Sequence, residues 1–223
     1  MSSTNSTNPS KLYVAGTPLE EGGALSEPLK LMMAQCQLLI GESRKSSMRY
    51  LMQCDDFPDE KDLYFLDNIK PAEMVELKQR LKTLAGAIAI LISDSGMPIL
   101  FDPGKEILDL ALEYGFEVRS IPGPTSWGTA CALSGFEPPF YIQGFLSQKA
   151  EKRVLDLQIL RATKSHIVIL ETPYRYEALL KDLTKVFGPT HFVFLGWELG
   201  TKAEFLFWGT LNELANASKE RGL

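Results

Sequence analysis

The chain is sparing with the residues and motifs that announce the commonest enzyme chemistries. It has 2 histidines and 3 cysteines in 223 residues. His166 and His191 each open an apolar run, "HIVIL" and "HFVFLGW", where a strand-edge or core histidine is expected. Cys36, Cys54 and Cys131 show no CxxC spacing and read as reduced, mostly buried thiols of a cytoplasmic protein. No cysteine, histidine or carboxylate cluster has metal-ligand spacing, so no metal is expected. GxGxxG after the first strand is missing, as are GxxxxGK[ST] and GxSxG. Their absence argues against the usual dinucleotide and glycine-rich methyltransferase sites, the phosphate-cradling NTPase loop and the nucleophile elbow. No apolar run approaches a membrane span, and no membrane partner is expected. The net charge is −5, from 23 basic and 28 acidic side chains. A nucleic-acid partner would therefore have to be met by a local basic patch.

What is present alternates. Short runs rich in Val, Ile, Leu, Phe and Tyr ("KLYVAG", "QLLIGE", "LYFL", "GAIAILIS", "FEVRSI", "FYIQGF", "HIVILE", "HFVFLGW", "EFLFWG") suit buried strands. Between them lie amphipathic segments such as "PAEMVELKQRLKTLA" and "YRYEALLKDLTKVFG". This pattern predicts an α/β protein with largely parallel sheets. "MSSTNSTNPS" (1–10) is expected to be a flexible tail. "IPGPTSWG" (121–128), with two prolines and two glycines, divides the rest into halves. The expectation is two α/β lobes, 11–121 and 122–223, with a ligand cleft between them. A helix is expected from Asp102 as N-cap, with Pro103 at its first position and Gly115 at its end.

Polar residues gather where apolar runs end: "ESR" (42–44), "SDSGMP" (93–98), "PGPTSW" (122–127), "ETPYR" (171–175) and "ELGTK" (198–202). Open α/β sheets bind ligands at such strand ends. One loop of this kind is ordinary turn chemistry, but five in series point to a binding site.

These stretches also carry a resemblance. "SDSGMPILFDPG", "IPGPTS", "QGFLSQKAEKR", "LETPYR" and "ELGTKAEF…GTL" are similar, in order, to the motifs of the tetrapyrrole methylase superfamily of S-adenosylmethionine-dependent methyltransferases. The branch resembled most is that of bacterial small-subunit ribosomal RNA cytidine 2′-O-methyltransferases, with the pattern SDAGTPLISDPG, PGPSA, GFLP.K…KR, YESPHR and RELTK..EEF..GTL. The resemblance implies two αβα lobes, S-adenosylmethionine as cofactor held in the cleft, a homodimer, and ribosomal RNA or the small ribosomal subunit as partner. It implies cofactor contacts from Ser93, Asp94, Gly96 and Met97, from Thr125 and Ser126, and from Leu170 and Thr172. Where the pattern departs, Thr17 and Pro18 remain of the first loop, Glu42 and Arg44 of the second, and Trp197 replaces an arginine.

A ribose hydroxyl needs a proton acceptor, and Glu42 is a candidate, with Lys202 and Glu204 a second pair. A salt bridge to Arg44 is the plainer reading of Glu42. Arg44, Lys149, Lys152, Arg153 and Arg175 are candidate substrate contacts, solvated helix faces being the alternative. Tyr174 or Trp197 could stack a base. The other acceptor class is a tetrapyrrole or another small molecule, which the acidic balance favours. A cofactor-binding protein without activity is the third reading.

Overall fold

The protein is described by a computed structural model over residues 9–54 and 62–223. The expected tail lies outside the described residues as far as residue 8. Ser10, placed in that tail, is instead buried and donates from Oγ to the Leu84 carbonyl at 2.9 Å. The chain forms two compact units, the first ending at Thr125 and the second running from Ser126 to Leu223.

The first unit is a parallel sheet of order β3-β2-β4-β1-β5. Its strands are β1 (Lys11–Ala15), β2 (Leu38–Gly41), β3 (Asp62–Phe65), β4 (Ile88–Ile92) and β5 (Glu117–Ile121). The helices are α1 (Glu27–Gln35), α2 (Arg44–Leu51), α3 (Pro71–Thr83) and α4 (Lys105–Glu113). Side chains alternate across the sheet, as a pleat requires. Leu38, Ile40, Ala89 and Leu91 meet Leu77 and Leu81 of α3 and Ile107 and Ala111 of α4. Leu39, Ile90 and Ile92 meet Leu29 and Met33 of α1 and Tyr50 of α2 on the other face.

This division follows from handedness. Connections through α1 and α2 run one way along the sheet, those through α3 and α4 run back, and right-handed crossovers put the two sets on opposite faces. The loop after β4 therefore leaves on one side while those after its neighbours β1 and β2 leave on the other. That reversal opens a crevice at the carboxyl ends of the strands.

The helix expected from Asp102 starts later. Residues 93–104 form no regular element, and α4 begins at Lys105 with Gly104 as N-cap at φ 128°. Asp102 caps nothing. Ile99 and Phe101 hold φ of 78° and 71°, outside helical backbone, so the segment does not enter a helix at Pro103.

The second unit contains α5 (Ser126–Ser134), β6 (Phe140–Phe145), α6 (Ala150–Arg161), β7 (His166–Leu170), α7 (Tyr176–Phe187), β8 (Phe192–Trp197), β9 (Phe205–Thr210) and α8 (Leu211–Arg221). A 3₁₀ turn, Pro173–Arg175, leads into α7. β6 and β7 pair in parallel, whereas β8 and β9 are antiparallel. Only residues 198–204 join that last pair, enough for a turn and too few for a crossover helix. Helix α5 was not expected: "SWGTACALS" has no apolar stripe to separate it from the adjoining loop. The core of this unit joins Leu146, Leu157 and Leu179 in one cluster, and Tyr176, Leu180, Leu211 and Leu214 in another.

Candidate functional site

The crevice of the first unit is closed at its base by backbone. Gly16, just after β1, donates from N to the Ile121 carbonyl at 2.9 Å. A Cβ at Gly16 would lie 2.5 Å from Gly123 Cα, and one at Gly123 would lie 2.6 Å from Gly16 Cα. Only glycine permits this approach at either position. Met97 borders the same seam, its sulfur 2.8 Å from where a Gly16 Cβ would stand. Gly96 holds φ 78° and receives Thr17 N at 2.9 Å on its carbonyl. The seam ties 122–124 to the first unit, which is why that unit runs to Thr125, beyond the division expected after Ile121.

Above the seam, hydroxyls and carboxylates bind the loops to one another. Buried Thr17 donates from Oγ1 to the carbonyls of Ser93 and Gly96 at 3.2 and 3.3 Å. Ser93 is buried too, its Oγ donating to the Gly96 carbonyl at 3.0 Å. Ser95 Oγ donates to the Leu19 carbonyl at 2.9 Å. Asp94 Oδ1 accepts from Ser43 N at 3.0 Å and Ser43 Oγ at 2.8 Å. Ser43 is the N-cap of α2, so this carboxylate sits where the helix dipole favours a negative charge. Tyr50 donates from its hydroxyl to the Asp94 carbonyl at 2.8 Å. Asp94, expected as a cofactor contact, is thus also a clamp between the β4 loop and α2.

Glu42 Oε2 accepts from Asp94 N at 2.9 Å. No Glu42–Arg44 ion pair occurs among the described residues. Arg44 instead lies over the Phe65 ring, 5.5 Å from its centroid. Burial pushes the Glu42 carboxyl up, against the Asp94 N–H that lowers it, with the charges of Asp94 and Asp67 adding to the rise. Asp102 is pushed up to about 7, first by burial and then by the charges of Glu42 and Asp94. Its part in this group was hidden in the sequence because "DPG" reads as a helix start.

In the second unit, β6 and β7 end level, with Phe145 opposite Leu170. Thr172 donates from N and Oγ1 to Glu171 Oε1 at 2.8 and 3.3 Å. Arg175 is mostly buried, 3.0 Å from Glu171 Oε2, and donates to the Leu146 carbonyl at 2.8 Å. Arg153 is buried, bound by Nε and Nη2 to Asp182 Oδ2 at 2.8 and 2.7 Å. Both arginines were expected to meet substrate phosphate, but their guanidinium groups are turned inward and committed. Lys149 and Lys152 remain exposed, as does Ser126 at the start of α5.

Glu204 Oε2 accepts from Gly200 N at 2.8 Å, closing the turn between β8 and β9, while Lys202 is exposed. Both members of the second expected proton-transfer pair are thus exposed, one of them bound to the turn backbone. Trp197 packs edge-on against Tyr176 at 5.3 Å within the core, leaving Tyr174, 82% exposed, as the free ring. Among the described residues no group of three His, Cys, Asp or Glu side chains could hold a metal ion, and no helix is long and apolar enough to cross a membrane.

A parallel sheet with a crevice at its switch point, closed by a glycine seam and edged with carboxylates, defines an α/β protein built to take a small ligand at its strand ends. The chain belongs to the tetrapyrrole (corrin/porphyrin) methylase family, whose model matches residues 11–215. It is 32% identical over 207 residues to a ribosomal RNA small subunit methyltransferase I from Leptospira borgpetersenii serovar Hardjo-bovis, covering 91% of this chain and 80% of the relative. A protein of the same name from Thermotoga maritima is 28% identical over 205 residues, 91% of this chain and 89% of the relative. Among solved structures, a cobalt precorrin-4 methyltransferase superposes with a TM-score of 0.65 at 16% identity, over 95% of this chain and 90% of that one. A uroporphyrin-III C-methyltransferase from Thermus thermophilus, complexed with S-adenosylhomocysteine, gives 0.60 at 16% identity, over 93% and 86%.

Proposed function

We propose that this protein is an S-adenosylmethionine-dependent methyltransferase of the cytoplasm whose acceptor is a ribose 2′-hydroxyl of small-subunit ribosomal RNA. The observation that carries the reading is the group of Glu42, Asp94 and Asp102 at the crevice beside the Gly16–Gly123 seam, in a chain whose relatives bear the ribosomal RNA methyltransferase name. The residues fit such a cofactor. Glycine backbone and a thioether leave room for close approach, and half-buried polar groups suit a zwitterionic nucleoside. Gly96, Met97 and Thr125 of the first unit would hold it.

S-adenosylmethionine supplies, when bound, a methyl group already activated on a sulfonium. The protein's own task is to align the acceptor and take its proton. Glu42 would take it, a reading supported by the Asp94 N–H that fixes one carboxylate oxygen and by burial, which raises the basicity of the group. Lys149 and Lys152, both exposed, would supply local positive charge for RNA in a chain of net charge −5. We also assign a homodimer, with a second copy covering the exposed aromatic side chains Tyr141, Phe145, Phe192 and Trp208.

Labelled methyl transfer into small ribosomal subunits that lack the modification tests the reading. Glu42→Gln should lower kcat on the order of 10²–10⁴-fold with cofactor affinity retained. The acidic balance favours a small-molecule acceptor instead. Cofactor binding by calorimetry, together with no transfer to the subunits, would support that class or a protein without activity.

A further inference from the structure

The turn that follows β6 is held from beneath in an unusual way. Three successive carbonyls receive arginine N–H groups: Leu146 from Arg175 at 2.8 Å, Ser147 from Arg153 at 3.3 Å, and Gln148 from Arg153 at 3.2 Å. Each guanidinium is neutralised where it lies, Arg153 by Asp182 of α7 and Arg175 by Glu171. The side chains of Arg153 and Asp182 are 7% and 14% exposed, those of Arg175 and Glu171 15% and 6%. Lys149 follows directly as the N-cap of α6, its backbone N donating to Ser147 Oγ at 3.3 Å, and Lys152 lies in the first turn.

A loop of this length normally spends its carbonyls on water. Here a planar fork with five donors is buried to hold them, an expensive arrangement unless geometry at the loop matters. We infer that Arg153 and Arg175 are positioning residues for the substrate: neutralised guanidinium clamps that hold the 146–148 carbonyls inward and so set where Lys149 and Lys152 stand. The inference rests on the RNA reading above. It replaces direct phosphate contact by these two arginines with contact through the lysines they place.

Charge makes the two roles separable. Asp182→Asn removes a negative charge and loosens Arg153. A phosphate-contacting arginine would then bind RNA more tightly, whereas a clamp would let go of its loop. With small ribosomal subunits lacking the modification as substrate, Asp182→Asn and Arg153→Lys should each raise KM about tenfold, the size of one lost charge-assisted hydrogen bond. kcat and calorimetric affinity for S-adenosylmethionine should stay unchanged. Hydrogen exchange should quicken at the amides of 147–149 in both variants, with those of Phe140–Phe145 still protected as the sign of an intact fold. A lower KM in Asp182→Asn, or a KM preserved in Arg153→Lys, overturns the inference. So does unaltered exchange at 147–149, a result that can be read even if the parent protein methylates no RNA and only the substrate assignment fails.

Discussion

The two units answer the same problem, how to hold loops at strand ends, with opposite charges. In the first, the loops after β1, β2 and β4 are tied by glycine backbone, serine and threonine hydroxyls, and the carboxylates Glu42 and Asp94. In the second, the loops after β6 and β7 are tied by two inward arginines with acidic partners. The first solution leaves unbalanced negative charge at the crevice, which adds to burial in keeping Asp102 partly protonated near neutrality. The second leaves none, because each guanidinium has its own carboxylate. The coupled carboxylates therefore belong to the first unit, and the neutralised arginines to the second.

Breaking the second solution should cost most. Asp182→Ala leaves Arg153 buried and unpaired, and losing one partner of such a pair costs about 3–5 kcal/mol. Urea unfolding would measure it, and a loss under about 1 kcal/mol would mean that the pair is solvated like a surface bridge.

Breaking the seam of the first comes next. Gly123→Ala places a Cβ against Gly16 backbone, where no side chain can give way. Overpacking of this kind costs about 1–3 kcal/mol, and cofactor affinity should fall as well if the seam borders the cofactor as proposed. Unchanged affinity by calorimetry would put the cofactor elsewhere.

The smallest effect sharpens the comparison. The folded-state pKa of Asp102 lies above its ordinary value, so between pH 4 and about 7 the folded state holds a proton that the unfolded state has lost. Asp102 therefore makes stability fall as pH rises through that window and then level off. Burial acting on Glu42 has the same sign. Asp102→Asn should flatten the slope and raise Tm at pH 8 by roughly 2–4 °C, after discounting for solvent screening of a half-exposed group. An equal slope in variant and parent would remove Asp102 from the coupled group.

The strand and helix alternation was legible in the sequence, because apolar periodicity is local and each run carries its own pattern. So were the five strand-end loops, since "SDSGMP", "PGPTS" and "ETPYR" concentrate residues that strands and helices reject. Chain neighbours suffice for such readings. Other features needed distant partners. Asp102 looked like a cap, and only the fold of 99–104 buries it near Asp94 and brings it under the charge of Glu42, which is far off in the chain. Arg153 and Arg175 looked like substrate contacts, because a sequence does not show which way a long cationic side chain turns. Asp182 and Glu171 turned them inward. Composition and spacing thus determined the elements and where a ligand should be sought. The tertiary structure alone decided which charges meet, because a charge's partner and its solvent depend on distance in space rather than on separation along the chain.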